Sequence, residues 1–336
     1  MEPRLKIITR TQTICVILVV LGHCTPANSQ QPPTPDLMYW ICEVFTGSFD
    51  MALFIFLSGL LFGYNHRNKE IDYFSFVQKR AYRLLIPYVV LSTLAFIPKV
   101  MLSAYAMRPV RFSFQDYLHG IFYPWDNPII YFWFLPTLFL IYLLAPFILK
   151  LQKNNRRGFN FVVMAYLLFF FWYPYYIEIL NINGVINYLL WFVAGIIISE
   201  YSEDLVILDR TWVLVSSLIV LVIINQSGLG FDHLGAVGFK LHRLLTGILG
   251  IVFSVSLGYK LLKQNLPVFE FLDGSSYQIY LLSWFILIAI KLSYQTLGLN
   301  YYFTIFLMLV AALILPVQLS RVINDRFKFL KPVFGL

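Results

Sequence analysis

Apolar runs of about 15 to 25 residues recur along the whole chain, with short polar connections between them. A transmembrane helix needs about 20 mostly apolar residues, so this pattern predicts a polytopic integral membrane protein. Of the 336 residues, 59% are hydrophobic and only 12% are charged, whereas a soluble domain carries about 25% charged residues. The strand-like alternation of polar and apolar residues that marks an outer-membrane barrel does not occur.

Ten runs have the length and composition of membrane spans, which predicts an all-α fold with about ten transmembrane helices. A signal peptide is not expected, because residues 1–6 are too short for its basic region and spacer. No composition shift divides the chain, so residues 1–336 are expected to form a single transmembrane domain. The predicted spans cover about 7–24, 40–63, 84–103, 129–149, 159–180, 185–199, 211–226, 244–262, 277–293 and 301–320.

Lysine and arginine concentrate in alternate connections, and basic residues favour the cytoplasmic side of a membrane. This distribution predicts that both termini are cytoplasmic, and a helical protein of this kind is expected in the cell's inner (plasma) membrane. The net charge of +8 follows from this topology and does not indicate nucleic-acid binding. The basic connections contain Arg4, Lys6, Arg10, Arg67, Lys69, Lys79, Arg80, Arg83, Lys150, Lys153, Arg156, Arg157, Lys260, Lys263, Arg321, Arg326, Lys328 and Lys331.

The three cysteines, Cys15, Cys24 and Cys42, lie in or beside apolar spans. No Cys-x-x-Cys or paired-histidine spacing accompanies them, so buried thiols are favoured over a disulfide or a metal site. We therefore expect no bound metal.

A titratable imidazole, that of His23, ends the first predicted span. Histidine exchanges a proton near neutral pH, and titratable groups at membrane depth often have a function. Gln12 lies eleven positions earlier, which places it on nearly the same helix face at a distance of roughly 16 Å, whereas Arg10 points to another face. The alternative is that His23 is an interfacial residue whose ring bonds to a backbone carbonyl.

Two carboxylates, Glu43 and Asp50, lie seven positions apart in the second predicted span, so they are expected on one helix face. Either could orient the imidazole of His23, as carboxylates orient catalytic histidines. The alternative is that these carboxylates lie among the lipid headgroups, and this alternative is stronger for Glu43 than for Asp50. The small residues Ser58 and Gly59 that follow favour close packing of helices.

Arg80 and Arg83 share a helix face at the end of a basic connection. Two such guanidinium groups could bind phosphate oxygens in a bidentate manner, although composition alone favours simple anchoring to the cytoplasmic membrane surface. Two long connections, 104–128 and 227–243, are predicted as outer loops. Their sugar-binding candidates, which ordinary wet loops would also contain, are Asp116, His119, Trp125, Asp126, Asp232, His233, Lys240, His242 and Arg243.

Taken in order, these residues resemble the integral-membrane acyltransferase family known as the acyltransferase-3 group. The resemblance extends over nearly the whole chain, and the order and spacing of its motifs make it specific. The matching stretches are Val19–His23, Phe54–Gly59, Arg80-x-x-Arg83 with Leu84–Pro87, Tyr131–Leu135 with Tyr142 and Pro146, and Ser276–Leu282.

The resemblance implies transfer of an acyl group, commonly acetyl, to hydroxyls of extracytoplasmic or lipid-linked sugars. It implies that His23 acts as the base that deprotonates the acceptor hydroxyl or assists acyl relay, and Asp50 and Glu43 are the carboxylates that could orient it. Arg80 and Arg83, with Arg10 and Gln12, would contact the donor, usually acetyl-CoA, from the cytoplasm. Trp133, Tyr280 and Ser283 would contact the substrate.

Two positions depart from the family pattern. Gln12 occupies the place of an arginine that precedes the histidine by eleven positions, and Ser283 replaces a histidine that often follows Ile-Tyr-Leu-Leu. Glutamine cannot neutralise a phosphate, so we expect Arg10 or Lys6 to supply that charge.

The expected function is therefore that of a membrane O-acyltransferase, with acyl-CoA as co-substrate and no tightly bound cofactor. Its expected partners are acyl-CoA, a surface polysaccharide or lipid-linked glycan, and membrane lipid, but not nucleic acid. Intramembrane polar pairs would also serve a transporter that moves a glycan or lipid without chemistry. A third possibility is a structural subunit of a polysaccharide synthase, in which Gln or Asn could replace His23 without effect.

Overall fold

The computed structural model describes residues 3–26, 36–103, 108–174, 176–201, 204–227, 235–264 and 266–335, and within these ranges it is helical and contains no β-strand. The α-helices are α1 (Pro3–Leu21), α2 (Leu37–Tyr39), α3 (Asp50–His66), α4 (Tyr73–Met101), α5 (Phe114–Phe122), α6 (Phe134–Asn154), α7 (Arg156–Trp172), α8 (Ile182–Ile198), α9 (Thr211–Ser227), α10 (Gly235–Leu262), α11 (Pro267–Leu272), α12 (Ser276–Leu297) and α13 (Tyr301–Arg326). Short 3₁₀ segments connect several of them, at Thr46–Ser48, Pro124–Asp126, Ile130–Trp133, Ile179–Asn181, Asp204–Asp209 and Lys328–Phe334.

Seven helical segments in the described ranges are long and apolar enough to cross a membrane. Helices also occupy the other three predicted spans, as α1, α7 and the short apolar α9. The all-helical membrane fold is confirmed, while the count of ten and the cytoplasmic termini remain predictions. The seven segments are Leu37–His66, Tyr73–Met101, Ile130–Asn154, Ile179–Ile198, Gly235–Leu262, Ser276–Tyr294 and Tyr301–Arg326.

The second predicted span is not one continuous α-helix. A π-helical turn, Trp40–Phe45, and the 3₁₀ turn Thr46–Ser48 precede α3, and these change the number of residues per turn. The prediction that Glu43 and Asp50 share one face is therefore wrong. Glu43 is exposed, whereas Asp50 begins α3 and is buried.

Two predicted outer loops contain helices. The short helix α5 lies within 104–128, and α10 begins at Gly235, so Lys240, His242 and Arg243 are helical. Polar residues made this turn of α10 look like a loop, but the Lys240 ammonium is buried and donates to the carbonyls of Phe170 and Tyr173, both at 2.6 Å. Of the loop candidates, Asp232 and His233 lie outside the described residues.

Close packing between α3 and α8 depends on small residues, as predicted for Gly59. A side chain at Gly59 would collide with the backbone of Phe192, and one at Gly195 with the backbone of Phe56. The Ser58 hydroxyl donates to the carbonyl of Phe54 in its own helix, at 2.9 Å. Backbone approach of this kind is typical of membrane helix interfaces, and it holds the middle of α3 against α8.

Several helices meet at one end of the bundle, which we call the basic end and define by Arg67, Lys153, Arg156, Lys260 and Lys263. Glu200, just after α8, accepts from Arg156 at 2.7 Å and contacts Arg67 at 3.1 Å. Asp209, before α9, contacts Lys263 at 2.5 Å and Lys260 at 3.7 Å. These ion pairs connect the ends of α3, α8 and α10 to the starts of α7 and α9.

Replacing Glu200 with glutamine is expected to lower the Tm slightly and in a pH-dependent manner. Partial burial opposes ionisation of Glu200, but hydrogen bonds from Arg156 and Arg67 outweigh it and keep the pKa of this carboxyl below its usual value. The unfolded state then binds more protons in acid, so the stabilisation is present above the unfolded pKa and is lost as the pH falls through the folded one. We expect a loss of at most about 3 °C at pH 7.5, because partly exposed ion pairs contribute little.

Thermal unfolding of the purified protein in detergent at pH 7.5 and pH 4 measures this difference. Glu70→Gln is the control, since Glu70 is exposed and forms no ion pair with another residue that the structure describes. A Tm difference that grows as the pH falls would contradict the expected sign.

Candidate active site

A cavity of about 410 Å³ lies among the end of α1, the start of α3, the start of α8, α10 and α12. We call it the His23 cavity. Its volume falls in the range of roughly 300–1,000 Å³ typical of small-molecule sites. The predicted site residues that line it are His23, Asp50, Trp133 and Tyr280, together with two of the sugar-binding candidates, Trp125 and Arg243. Six predicted positions thus meet at one cavity.

His23 lies just beyond the last residue of α1. Its backbone N–H donates to the carbonyl of Val20 at 3.0 Å, in a turn tighter than an α-helix. The imidazole is half-buried and stacks on Tyr131, with ring centroids 3.7 Å apart and the planes 12° from parallel. Tyr131 therefore fixes the plane in which the imidazole faces the cavity.

Tyr280 in turn fixes the backbone of Tyr131. The Tyr280 hydroxyl donates to the Tyr131 carbonyl at 2.5 Å, and the ring of Tyr280 is fully buried. One turn earlier on α12, the Tyr277 hydroxyl donates to the carbonyl of Arg83, whose guanidinium lies 5.2 Å from the centroid of the Tyr277 ring. Helix α12 therefore connects the His23 cavity with the start of α4.

Asp50 brings a buried carboxylate, 7% exposed, to the same cavity. Its Oδ1 accepts from the backbone N–H of Met51 at 2.6 Å, in the first turn of α3. No hydrogen bond or ion pair joins Asp50 to His23, both of which the structure describes. The two groups share a cavity that a substrate could fill between them, whereas Glu43 is exposed and lies outside the cavity lining.

The predicted donor residues do not line the His23 cavity. The guanidinium of Arg80 is half-buried and lies over the rings of Tyr142, at 4.3 Å, and Phe76, at 5.1 Å. Arg83 is exposed. Both arginines are in the first turns of α4, and Gln12 is half-buried on α1.

Arg10 forms an ion pair that the sequence did not reveal. Its side chain is buried, and Nε and Nη2 each lie 3.1 Å from Oδ2 of Asp273. Nη1 donates to the carbonyl of Leu261 at 3.1 Å, and Thr13 donates to Oδ1 of Asp273 at 2.6 Å. A donor phosphate would have to compete with Asp273 for this guanidinium, whereas Lys6 is exposed.

Residues that the sequence analysis passed over also line the cavity. Asn181, Asn183 and Asn187 lie there, at the start of α8. Three asparagines within seven positions at the start of an apolar span are unusual, and this cluster could have indicated a polar site. Ser283, one turn beyond Tyr280, is buried but does not line the cavity.

A lysine in α12, Lys291, also escaped the sequence analysis. It is half-buried within the candidate span Ser276–Tyr294 and close enough to His23 and Glu43 to interact with them electrostatically. Charged residues inside membrane spans often have a function. The amino group of Lys291 therefore lies near the imidazole of His23 at this end of the bundle.

The described chain contains no group of three or more His, Cys, Asp or Glu side chains that could bind a metal ion. The three cysteines are buried free thiols. The groups that line the cavity are an imidazole, a carboxylate, a guanidinium, aromatic rings and amides.

Comparison with known proteins identifies the family of this chain. The model of a family described as the acyltransferase domain, the acyltransferase-3 group, matches residues 8–321. No curated protein and no solved structure shows a significant match. The matched range contains every residue that lines the His23 cavity, as well as the arginines of α4. The chain belongs to the acyltransferase-3 family of membrane acyltransferases.

Proposed function

We propose that the protein is an O-acyltransferase of the inner membrane. It transfers an acyl group, expected to be acetyl, from a cytoplasmic acyl-CoA to a sugar hydroxyl of a surface polysaccharide or its lipid-linked precursor. Family membership supports acyl transfer. The observation that carries the proposal is the cavity in which an imidazole, a buried carboxylate and aromatic rings meet.

The reaction requires a base at the acceptor hydroxyl. His23 accepts the hydroxyl proton while the hydroxyl oxygen attacks the thioester carbonyl of the donor. The new C–O ester bond forms, the C–S bond breaks, and the proton passes from His23 to the leaving thiolate. The Asp50 carboxylate, in the same cavity, stabilises the transient imidazolium through its negative charge.

The donor approaches from the basic end. Arg80 and Arg83 are the candidates for its phosphate groups, because guanidinium groups form bidentate bonds with phosphate. The thioester then reaches His23 along α1 and α12, a distance of roughly 16 Å from Gln12 along the helix axis. The tyrosines of α12 support this route. The Tyr277 hydroxyl donates to the carbonyl of Arg83, and the Tyr280 hydroxyl donates to the carbonyl of Tyr131, whose ring stacks on His23.

Replacing Tyr280 with phenylalanine is expected to lower kcat by roughly ten-fold and to leave the KM for acyl-CoA unchanged. The change removes the hydroxyl that donates to the Tyr131 carbonyl, which then keeps only its bond from the backbone N–H of Phe134. The loss of one such hydrogen bond costs about 0.5–1.5 kcal/mol. The loss frees the backbone that positions the ring stacked on His23. Steady-state transfer kinetics measure the effect.

Tyr302→Phe is the control for this variant, because the Tyr302 hydroxyl bonds to Asp36 at 3.0 Å on an exposed part of α13. An unchanged kcat in Tyr280→Phe would show that the hydrogen bond to Tyr131 does not position His23.

The proposed function is tested by proton NMR of the host's surface polysaccharide. Three strains are compared: wild type, a deletion, and the deletion carrying His23→Ala. Loss of a defined O-acyl signal in both mutants at constant polymer yield is the expected result, and the shifted resonance identifies the acylated position. Unchanged acylation with less surface polymer would support a transporter instead, and full rescue by His23→Ala would remove His23 from the mechanism.

A further inference from the structure

Three aromatic rings form a continuous stack on one wall of the His23 cavity. Trp125 lies parallel to Trp133, with ring centroids 5.0 Å apart and the planes 14° from parallel. Trp133 stacks in turn on Tyr188, at 5.3 Å and 30°. All three line the cavity that also contains His23. Trp125 is 44% exposed, so the outer end of this stack is accessible.

Asn181 fixes Trp125 in the stack. Its Oδ1 accepts from the indole N–H of Trp125 at 3.0 Å and from the backbone N–H of Gly184 at 3.2 Å, while its Nδ2 donates to Thr137 at 2.8 Å. The backbone of Asn181 is left-handed, with φ at 54°, and so is that of Leu180, with φ at 50°. Such conformations are costly for residues other than glycine and cluster at functional sites.

The side-chain amides of Asn183 and Asn187 also line the cavity, beside the stack. Oδ1 of Asn183 accepts from Tyr173 at 2.8 Å and from the N–H of Ile177 at 3.1 Å. Nδ2 of Asn187 donates to the carbonyl of Asn183 at 2.8 Å. These bonds fix both amide orientations. Within the described chain, Nδ2 of Asn183 and Oδ1 of Asn187 have no protein partner, which leaves one donor and one acceptor for a ligand.

The charges of the cavity lining balance each other. Its formal charges are the carboxylate of Asp50 and the guanidinium of Arg243, and Arg243 also donates to the hydroxyl of Tyr188 at 3.2 Å. Beyond the lining, Lys291 is within electrostatic range of His23, and the carboxylate of Glu43 is within electrostatic range of Lys291. An anionic ligand would therefore lose hydration without meeting a net positive charge. An uncharged ring with hydroxyl groups matches both the aromatic stack and the free amide atoms.

We propose that the stack of Trp125, Trp133 and Tyr188, with the amides of Asn183 and Asn187, is the acceptor subsite for an uncharged sugar ring. The inference rests on the proposed function and specifies its substrate class. The C–H face of a sugar ring meets the electron-rich face of an aromatic ring, while its hydroxyls exchange hydrogen bonds with the two amides. One hydroxyl is then presented to His23 across the cavity.

Saturation-transfer NMR on the purified full-length protein tests this assignment. The probes are methyl glycosides of glucose, galactose and N-acetylglucosamine, with methyl glucuronide and glycerol phosphate as anionic counterparts. We expect at least one uncharged glycoside to bind at least ten-fold more tightly than either anion. Trp125→Ala should weaken that binding at least ten-fold, whereas Trp212→Ala, at a site 64% exposed on α9, should leave it unchanged.

Trp125→Phe retains a ring but loses the N–H bond to Asn181, and we expect intermediate binding, which preserves the test if the alanine variant is unstable. Binding of no uncharged glycoside, equal binding of the glucuronide, or unchanged binding in both Trp125 variants would overturn the subsite.

Surface O-acyl content in the same variants separates this inference from the proposed function. Acyl transfer that persists unchanged in Trp125→Ala would contradict the subsite alone. Sugar binding that depends on Trp125, in a protein that transfers no acyl group, would contradict the proposed function alone.

Discussion

Replacing His23 with alanine is expected to lower acyl transfer by at least about 100-fold, because a positioned general base contributes roughly that much or more. The protein should still fold, since the half-buried ring lies at the edge of a cavity and contacts Tyr131 through one face. Transfer of labelled acetyl from acetyl-CoA in membranes from the deletion strain measures the loss.

Two further variants separate catalysis from packing at this position. His23→Gln keeps a polar side chain but provides no base, so it should be as inactive as the alanine variant. Tyr131→Leu keeps the imidazole but removes its stacking partner, so it should retain part of the activity. Normal transfer by His23→Gln would indicate a structural role, the behaviour expected of a subunit without chemistry.

Replacing Arg10 with leucine is expected to destabilise the protein by about 3–5 kcal/mol, because removal of one partner leaves a charge unpaired in a poorly hydrated site. The side chain of Arg10 is 5% exposed and that of Asp273 is 23% exposed. The double variant Arg10→Met/Asp273→Leu leaves no unpaired charge and should recover most of the lost stability. Thermal unfolding of the purified proteins measures both effects.

The same double variant decides whether Arg10 binds the donor. If its only role is to pair with Asp273, the stable double variant keeps the wild-type KM for acyl-CoA. An increase in KM of ten-fold or more would assign Arg10 to the donor site and would confirm the expectation that it supplies the charge that Gln12 lacks. If Arg10→Leu alone were as stable as the wild type, the ion pair between Arg10 and Asp273 would not contribute to stability.

Much of the fold follows from hydropathy. Each of the ten predicted spans contains a helix, because the length of an apolar run is a local property that the sequence displays directly. The errors occur where polar groups find distant partners or where the helix type changes. Lys240 lies inside α10 because the carbonyls at the end of α7 accept its hydrogen bonds. Glu43 and Asp50 fall on different faces because a π-turn and a 3₁₀ turn separate them.

The site was predictable only in part. The sequence indicated six residues separately, and the structure brings all of them to one cavity: His23, Asp50, Trp125, Trp133, Arg243 and Tyr280. Periodicity cannot detect pairs that are far apart in the sequence. The bond between Arg10 and Asp273 joins positions 263 apart.

The contact between Asn181 and Trp125 escaped the sequence analysis for a related reason. The Asn181 side chain depends on the bond to Trp125, 56 positions away, and on a left-handed backbone. Asparagine tolerates this conformation, but nothing in the sequence showed that it would be adopted at this position.

The most direct test of the central claim uses everted membrane vesicles from the deletion strain that carry either the wild-type protein or His23→Ala. Acetyl-CoA labelled in the acetyl group is added to the exposed cytoplasmic face. The account predicts label in the glycan fraction, released by mild alkali, with the wild-type protein and none above background with His23→Ala. Equal labelling in the two preparations, or a glycan that stays unlabelled while its export depends on the protein, would contradict the account.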